Sequence, residues 1–110
     1  MSAAPALAAM RSRVTLERPV DTPDDTGALT SVWTAVADVW AQITPVRGAE
    51  NFAAGAQETS ILHEATIRWR PDVVAPMRFR FGSRALYIRA AVDPDARRRT
   101  LVCRCEEFVA

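Results

Sequence analysis

The chain has 110 residues, 49% hydrophobic and 25% charged, with a formal net charge of +1. That length suits one domain with a single core that needs no staples. The near-neutral balance argues against a dedicated nucleic-acid binder, which ordinarily carries a clear basic excess, and no run of about 18 apolar residues offers a helical membrane span.

All 14 basic residues are arginine. Arginine suits planar, bidentate pairs at interfaces, although a GC-rich genome imposes the same Arg- and Ala-rich usage. The N-terminus, MSAAPALAAM, has no basic segment ahead of its apolar residues; Arg11 and Arg13 come after. A secretory signal is therefore not expected. Residues 1–10 read as a mobile arm, in which Pro5 limits any helix. Residues 11–110 read as one β domain.

Ser12–Arg18 (SRVTLER) alternates as a first strand, which Pro19 is expected to end. Val20–Ala28 is a loop by its chemistry, with Pro23, Asp24, Asp25 and Gly27 as turn formers. Asp24 and Asp25 are paired carboxylates, but neighbours in a solvated turn do not converge on a substrate. Leu29–Trp33 resumes a strand and Asp38–Thr44 continues it, with a bulge or bend at Ala35–Ala37. Trp33 and Trp40 would suit a base-stacking platform; core or subunit-interface positions are the simpler reading.

Pro45–Ser60 (PVRGAENFAAGAQETS) keeps no alternation. It is too long for a hairpin loop, which ordinarily takes about 2–5 residues. Ala49–Gln57 has room for two turns of helix, weakened by Gly48 and Gly55. Phe52 is its only large apolar side chain. One such residue does not offset about 1–2 kcal/mol of backbone entropy per ordered residue. The loop is thus expected to order only against a neighbour.

Ile61–Arg70 alternates over its whole length, with Ile61, His63, Ala65, Ile67 and Trp69 on one face. After a turn at Pro71–Pro76, Met77, Phe79 and Phe81 point inward and Arg78 and Arg80 outward. Gly82-Ser83 is a tight turn. Leu86, Ile88, Ala90 and Val92 share the face of the next strand, and Asp93–Ala96 turns again. Arg98–Glu106 closes the set with Leu101, Cys103 and Cys105 on one face. On a strand the two cysteines sit about 6.5–7 Å apart, at the limit of a disulfide, so free thiols in a reducing compartment are expected. About six short strands at regular spacing give an all-β barrel or sandwich with a long loop between strands two and three.

Chemistry is sparse. His63-Glu64 opens like the HExxH zinc motif, but the fifth position is Ile67 and the segment is a strand, so the motif fails. His63 with Cys103 and Cys105 makes a weak three-ligand metal set. Nothing resembles a nucleophile elbow or a phosphate loop. No catalytic residue, metal or cofactor is expected. The arginines form groups: Arg68 with Arg70, Arg78 with Arg80, and Arg97-Arg98-Arg99. The plain reading is a solvated face. The alternatives are phosphate contacts or pairing between subunits with Asp24, Asp25, Asp93 and Asp95, which suits head-to-tail association.

Several segments in this order resemble the phage head–tail joining family, the small β-barrel head-closure or stopper proteins of tailed phages and gene transfer agents. They are RVTLERP at Arg13–Pro19, Val32-Trp33, VWAQITPVRGAE at Val39–Glu50, HEATIRWRP at His63–Pro71, MRFRF at Met77–Phe81, Tyr87-Ile88 and DPDARRR at Asp93–Arg99. The arm before Arg11 and the turn at Gly82-Ser83-Arg84 look longer than the family pattern. The resemblance implies a non-enzymatic virion protein assembled in the bacterial cytoplasm, forming a ring of six or twelve copies in the neck. Its partners would be the portal-bound adaptor, a tail terminator or tail tube protein, and packaged DNA met without sequence specificity. By position, the channel loop would be Arg47–Ser60, with Arg47, Glu50, Asn51, Phe52 and Gln57 as contacts. Arg68, Arg70, Arg78, Arg80, Arg97 and Arg98 would serve the interfaces. The rival readings are a tail terminator or other neck part, and a small nucleic-acid-binding barrel.

Overall fold

The computed structural model describes residues 10–52 and 59–109, with side chains for 10–46 and 60–108. Six strands follow in order: β1 (Ser12–Pro23), β2 (Leu29–Phe52), β3 (Thr59–Arg68), β4 (Arg78–Phe81), β5 (Arg84–Val92) and β6 (Thr100–Val109). They close a barrel in the order β1-β2-β3-β6-β5-β4, with every pairing antiparallel. The all-β barrel of six strands is thus the fold that the alternation implied. None of the described residues is helical.

Period-two alternation fills the barrel. Val14 and Leu16 of β1, Ala41 of β2, Ala65 and Ile67 of β3, Phe79 of β4, Leu86 and Ile88 of β5, and Leu101, Cys103 and Cys105 of β6 form one core cluster. Val73 and Met77 of the β3–β4 connection join it. Burying a Leu, Ile or Phe side chain is worth about 1.5–3 kcal/mol, so these inward rows dominate the stability. Both cysteines are free and buried.

Three bulges set which residues reach the surface. Between Leu16 and Glu17 the register slips, with Leu16 opposite Ala37 and Glu17 opposite Ala35. Val36 is the extra residue, and past it β2 reverses its alternation. Trp33 and Trp40, an odd number apart, therefore both lie on the outer wall, not in the core. In β5, Ile88 faces Cys105 and Ala90 faces Arg104, so Arg89 is extra. The expected inward row of Leu86, Ile88, Ala90 and Val92 is broken there: Ala91 packs on the core and Val92 is exposed. In β2, Pro45 faces His63 but Glu50 faces Ile61. Four residues, 46–49, thus oppose Leu62 alone.

Other expectations need correction. Pro19 does not end β1; it pairs with Trp33, and the strand runs to Pro23. Pro19 and Pro23, four apart, turn the same edge of β1, and a proline is tolerated where its missing N–H faces away from the ladder. Pro45–Phe52 is not irregular loop but the bulged end of β2, so no helix starts at Ala49. β3 stops at Arg68, although the Trp69 N–H still donates to the Arg99 carbonyl at 3.1 Å.

The barrel is drawn out at both ends. β4 meets β1 only from Thr15 to Glu17, so beyond Glu17 the β1–β2 pair projects as a two-stranded ribbon. At the other end β2, β3 and β6 run on together to the Phe52–Thr59 and Thr59–Val109 pairs. The radius of gyration is 15.2 Å, with extents of 49 × 32 × 24 Å, against about 13 Å for a compact chain of this size.

Candidate assembly surfaces

Four groups of polar side chains decorate this frame. On the barrel wall, Glu17 lies at 5% exposure although it points away from the core. It is covered by two arginines of the adjacent β4. Arg78 donates from Nε to one carboxylate oxygen at 2.7 Å, and Arg80 to the other at 3.0 Å. Arg78 also lies 4.1 Å over the Trp33 ring, and Tyr87 meets Trp33 edge-on at 5.9 Å. Arg89, thrown outward by the β5 bulge, pairs with Glu106 at 3.0 Å. Arg78 and Arg80 are thus an intrachain network, and Glu17 is its centre.

Toward the three-stranded end, Glu107 is bonded by two side chains. Arg84 donates to both of its oxygens, at 2.7 and 2.8 Å, and His63 donates from Nε2 at 2.8 Å. The Arg84 hydrogen bonds, with help from His63, hold this carboxyl below the usual carboxylate range. The only histidine of the chain thus engages a carboxylate on the neighbouring strand, and its Nδ1 is buried without a partner among the described residues. His63 faces Cys105 across the ladder, and burial pushes both thiols up, Cys103 to about 12. Among the described residues no three histidine, cysteine or acidic side chains are grouped to hold a metal ion.

The ribbon tip is an Asx turn. Asp24 Oδ1 accepts from the Thr26 N–H, the Thr26 hydroxyl and the Ala28 N–H at 2.9, 2.7 and 3.0 Å. These bonds lower its pKa, the Thr26 side chain foremost. Gly27 takes φ +86°, the left-handed conformation that glycine adopts without strain. Asp25 is exposed beside it. Asp21 accepts from the Ser31 hydroxyl at 2.7 Å.

The β5–β6 turn is basic outside and acidic inside. Asp95 accepts from the Arg97 N–H and Asp93 from the Arg98 N–H, at 3.1 and 2.8 Å, and Arg99 pairs with Asp95. Both carboxylates are engaged within their own turn. Arg97 and Arg98 are exposed, and among the described residues their guanidinium groups have no acidic partner. Arg98 lies 5.4 Å over Trp69. Arg68 is exposed nearby, opposite Thr100, whereas Arg70 is closed onto Asp72 at 3.0 Å by two bonds.

Between the ribbon and the β3–β4 connection runs a groove of about 1000 Å³, with Asp21, Trp33, Val36, Val74 and Met77 among its walls. Of the channel candidates, the backbone of Arg47, Glu50, Asn51 and Phe52 belongs to β2, while their side chains, and Gln57 entirely, lie outside the described residues. Sequence reasoning missed Glu17, Arg84, Arg89 and Glu107. The available signal was a glutamate in an alternating strand whose partner strand carries arginines on the same face. For Glu17, using it requires the β1–β4 adjacency, which only barrel closure supplies; for Glu106 and Glu107 the partner is the preceding strand of the β5–β6 hairpin.

Comparison with known proteins gives a consistent picture. The family model described as phage head completion protein matches residues 6–107. A chain in the virion of a native gene transfer agent particle superposes with a TM-score of 0.74 at 29% identity, covering 90% of this chain and 94% of that one. The solution structure of a Shigella flexneri 2a protein superposes with a TM-score of 0.66 at 28% identity, covering 89% and 92%. No match was found among curated proteins.

Proposed function

The chain belongs to the phage head completion protein family, and from that premise we propose that it is the stopper of a head–tail connector. It is a structural component of a virion of the phage or gene transfer agent kind. In the proposed role, copies form a ring in the neck, below the portal and its adaptor. The ring closes the DNA-filled head and offers the surface on which the tail docks. The work is steric and electrostatic, without catalysis.

The observation that carries this reading is the family match from residue 6 to 107, together with a likeness to a gene transfer agent virion chain that spans nearly the whole barrel. The shape is compatible with it: a closed barrel with a strand-built projection at each end. The β2–β3 projection is the proposed channel element, with Arg47, Glu50, Asn51, Phe52 and Gln57 as its contacts to packaged DNA. Its irregular register at residues 46–49 sets it apart from the barrel that supports it.

The test replaces residues 53–58 by Asn-Gly, the dipeptide suited to a two-residue hairpin turn. Phe52 and Thr59 already pair, so the barrel is expected to fold unchanged. Particles carrying this variant are expected to lose packaged DNA or fail to take tails, as are particles without the protein. Restoration by wild-type protein added to portal–adaptor heads identifies a stopper. Binding to tails in the absence of heads would instead identify a tail terminator.

A further inference from the structure

Opposite walls of the barrel carry opposite charge at one end. In the order β1-β2-β3-β6-β5-β4, a single strand separates the β1–β2 pair from the β5–β6 pair in either direction around the barrel. The ribbon therefore projects from one wall and the Asp93–Arg99 turn from the wall opposite. Both lie at the end where β3 finishes and β6 begins.

The two surfaces complement each other. From Pro19 to Trp33 the ribbon contains Asp21, Asp24 and Asp25 and no basic residue. The turn opposite has its carboxylates bound within itself and presents Arg97 and Arg98, with Arg68 on the adjoining strand. Each surface also exposes a large apolar side chain within its charged surroundings: Leu29 at 70% on the ribbon and Val92 at 53% beside the turn. Leu29 pairs with Pro23 and lies on the same side of the ribbon as Asp21, Ser31 and Trp33, three of the residues that line the groove. Arg18 and Asp72 are the other charged residues that line this groove.

We propose that these surfaces meet between copies: the groove side of one ribbon receives the β5–β6 turn of a second chain, with Leu29 against Val92 and Asp21, Asp24 and Asp25 facing Arg97 and Arg98. Being on opposite walls, they do not meet within one chain. A contact between two different patches repeats from copy to copy and closes a ring when the rotation allows. The occupant docks by side chains and not by adding a strand. Pro19 and Pro23 withhold two donors along the open edge of β1, which blunts it against pairing. This inference rests on the ring reading given above and supplies its lateral contact.

The test combines Asp25→Cys with Arg97→Cys in one chain and treats assembled particles with a short bis-maleimide. Cys103 and Cys105 are buried and stay silent. The expected result is a ladder of dimers, trimers and higher species, with nothing above dimer from either single variant. In parallel, Asp21→Arg with Asp25→Arg, which leave the Asp24 turn intact, and Arg97→Glu with Arg98→Glu, are each expected to lower the yield of joined particles by roughly tenfold or more, the scale of one lost interaction. All four changes in one chain are expected to restore it. Every altered side chain is exposed, so an unchanged thermal midpoint certifies the fold. No ladder while heads and tails still join would overturn the interface and leave the stopper reading intact. A ladder in particles whose head–tail joining does not depend on this protein would uphold the interface and remove the stopper reading. A cross-link to a different virion protein would overturn the choice of a second copy.

Discussion

Glu107 shows how much one side chain of this barrel carries. It is buried, with both oxygens bonded by Arg84 and one by His63. Those donors favour the ionised form and lower its pKa from the ordinary value. In the native state it therefore holds its proton less tightly than in the unfolded chain. The resulting stabilisation is present in full above the ordinary carboxylate pKa and drains away as pH falls through the lowered native one. Glu107→Gln keeps the shape but removes the charge. It is expected to cost about 1.5–3 kcal/mol at pH 7, the worth of a hydrogen bond to a charged group. The deficit should begin to shrink as pH falls below the ordinary carboxylate value of about 4.3 and vanish only below the lowered native one. Urea unfolding of both proteins at pH 7, 5 and 3 measures this, and a deficit that stays constant across that range would rule out the electrostatic account. Glu17 is likewise bridged by two arginines, of which Arg78 is largely buried and Arg80 half exposed; water screens the exposed pairs, Arg84 with Glu107 included.

At the scale of elements, the ribbon and the barrel differ in what holds them. Core strands such as β3 and β6 are paired on both sides and bury one face. Beyond Glu17, β1 has only β2 beside it. Local opening should therefore be easiest in the ribbon. Hydrogen exchange is expected to be fastest there among the described strands, and slowest around Ile67, Ile88 and Cys103. Gly27→Ala places a side chain at φ +86° with no atom within 4 Å to clash, so its cost is purely conformational, about 1 kcal/mol. It should speed exchange from Arg18 to Thr34 and leave barrel protection unchanged. Equal acceleration throughout would show the ribbon to be part of the cooperative core. The same contrast explains what the sequence made legible. Inward rows such as Val14–Leu16 and Leu101–Cys103–Cys105 are written in residue alternation, and so the strands and the barrel were readable. The bulges at Val36 and Arg89 are written in one unpaired residue each. Arg89 is no different in kind from its neighbours, yet it turns Val92 outward. Pro19 reads as a terminator only if its strand is assumed to need a donor on that edge. The Glu17 network and the His63–Glu107 contact join strands across 61 and 44 residues of sequence, distances over which alternation carries no information.

For the whole molecule, the decisive property is how charge is distributed and not how much there is. The net charge of +1 sums an acidic ribbon and a basic turn on opposite walls with intrachain pairs between them. DNA affinity follows the number of phosphates that lysine and arginine can neutralise at once, and it falls steeply with salt. Here Arg78, Arg80, Arg84, Arg89 and Arg99 are already engaged by carboxylates of the same chain. The purified subunit should therefore not bind a random-sequence duplex measurably at about 150 mM salt, where screening acts over about 8 Å. Fluorescence anisotropy of a labelled duplex, at low and at physiological salt, measures this directly. Tight binding with a steep salt slope would favour a nucleic-acid-binding barrel over a connector component. Absence of binding by the single subunit, with DNA retained by the assembled particle, would place the DNA contact in the collective geometry of many copies, each contributing a weak surface that no copy can use alone.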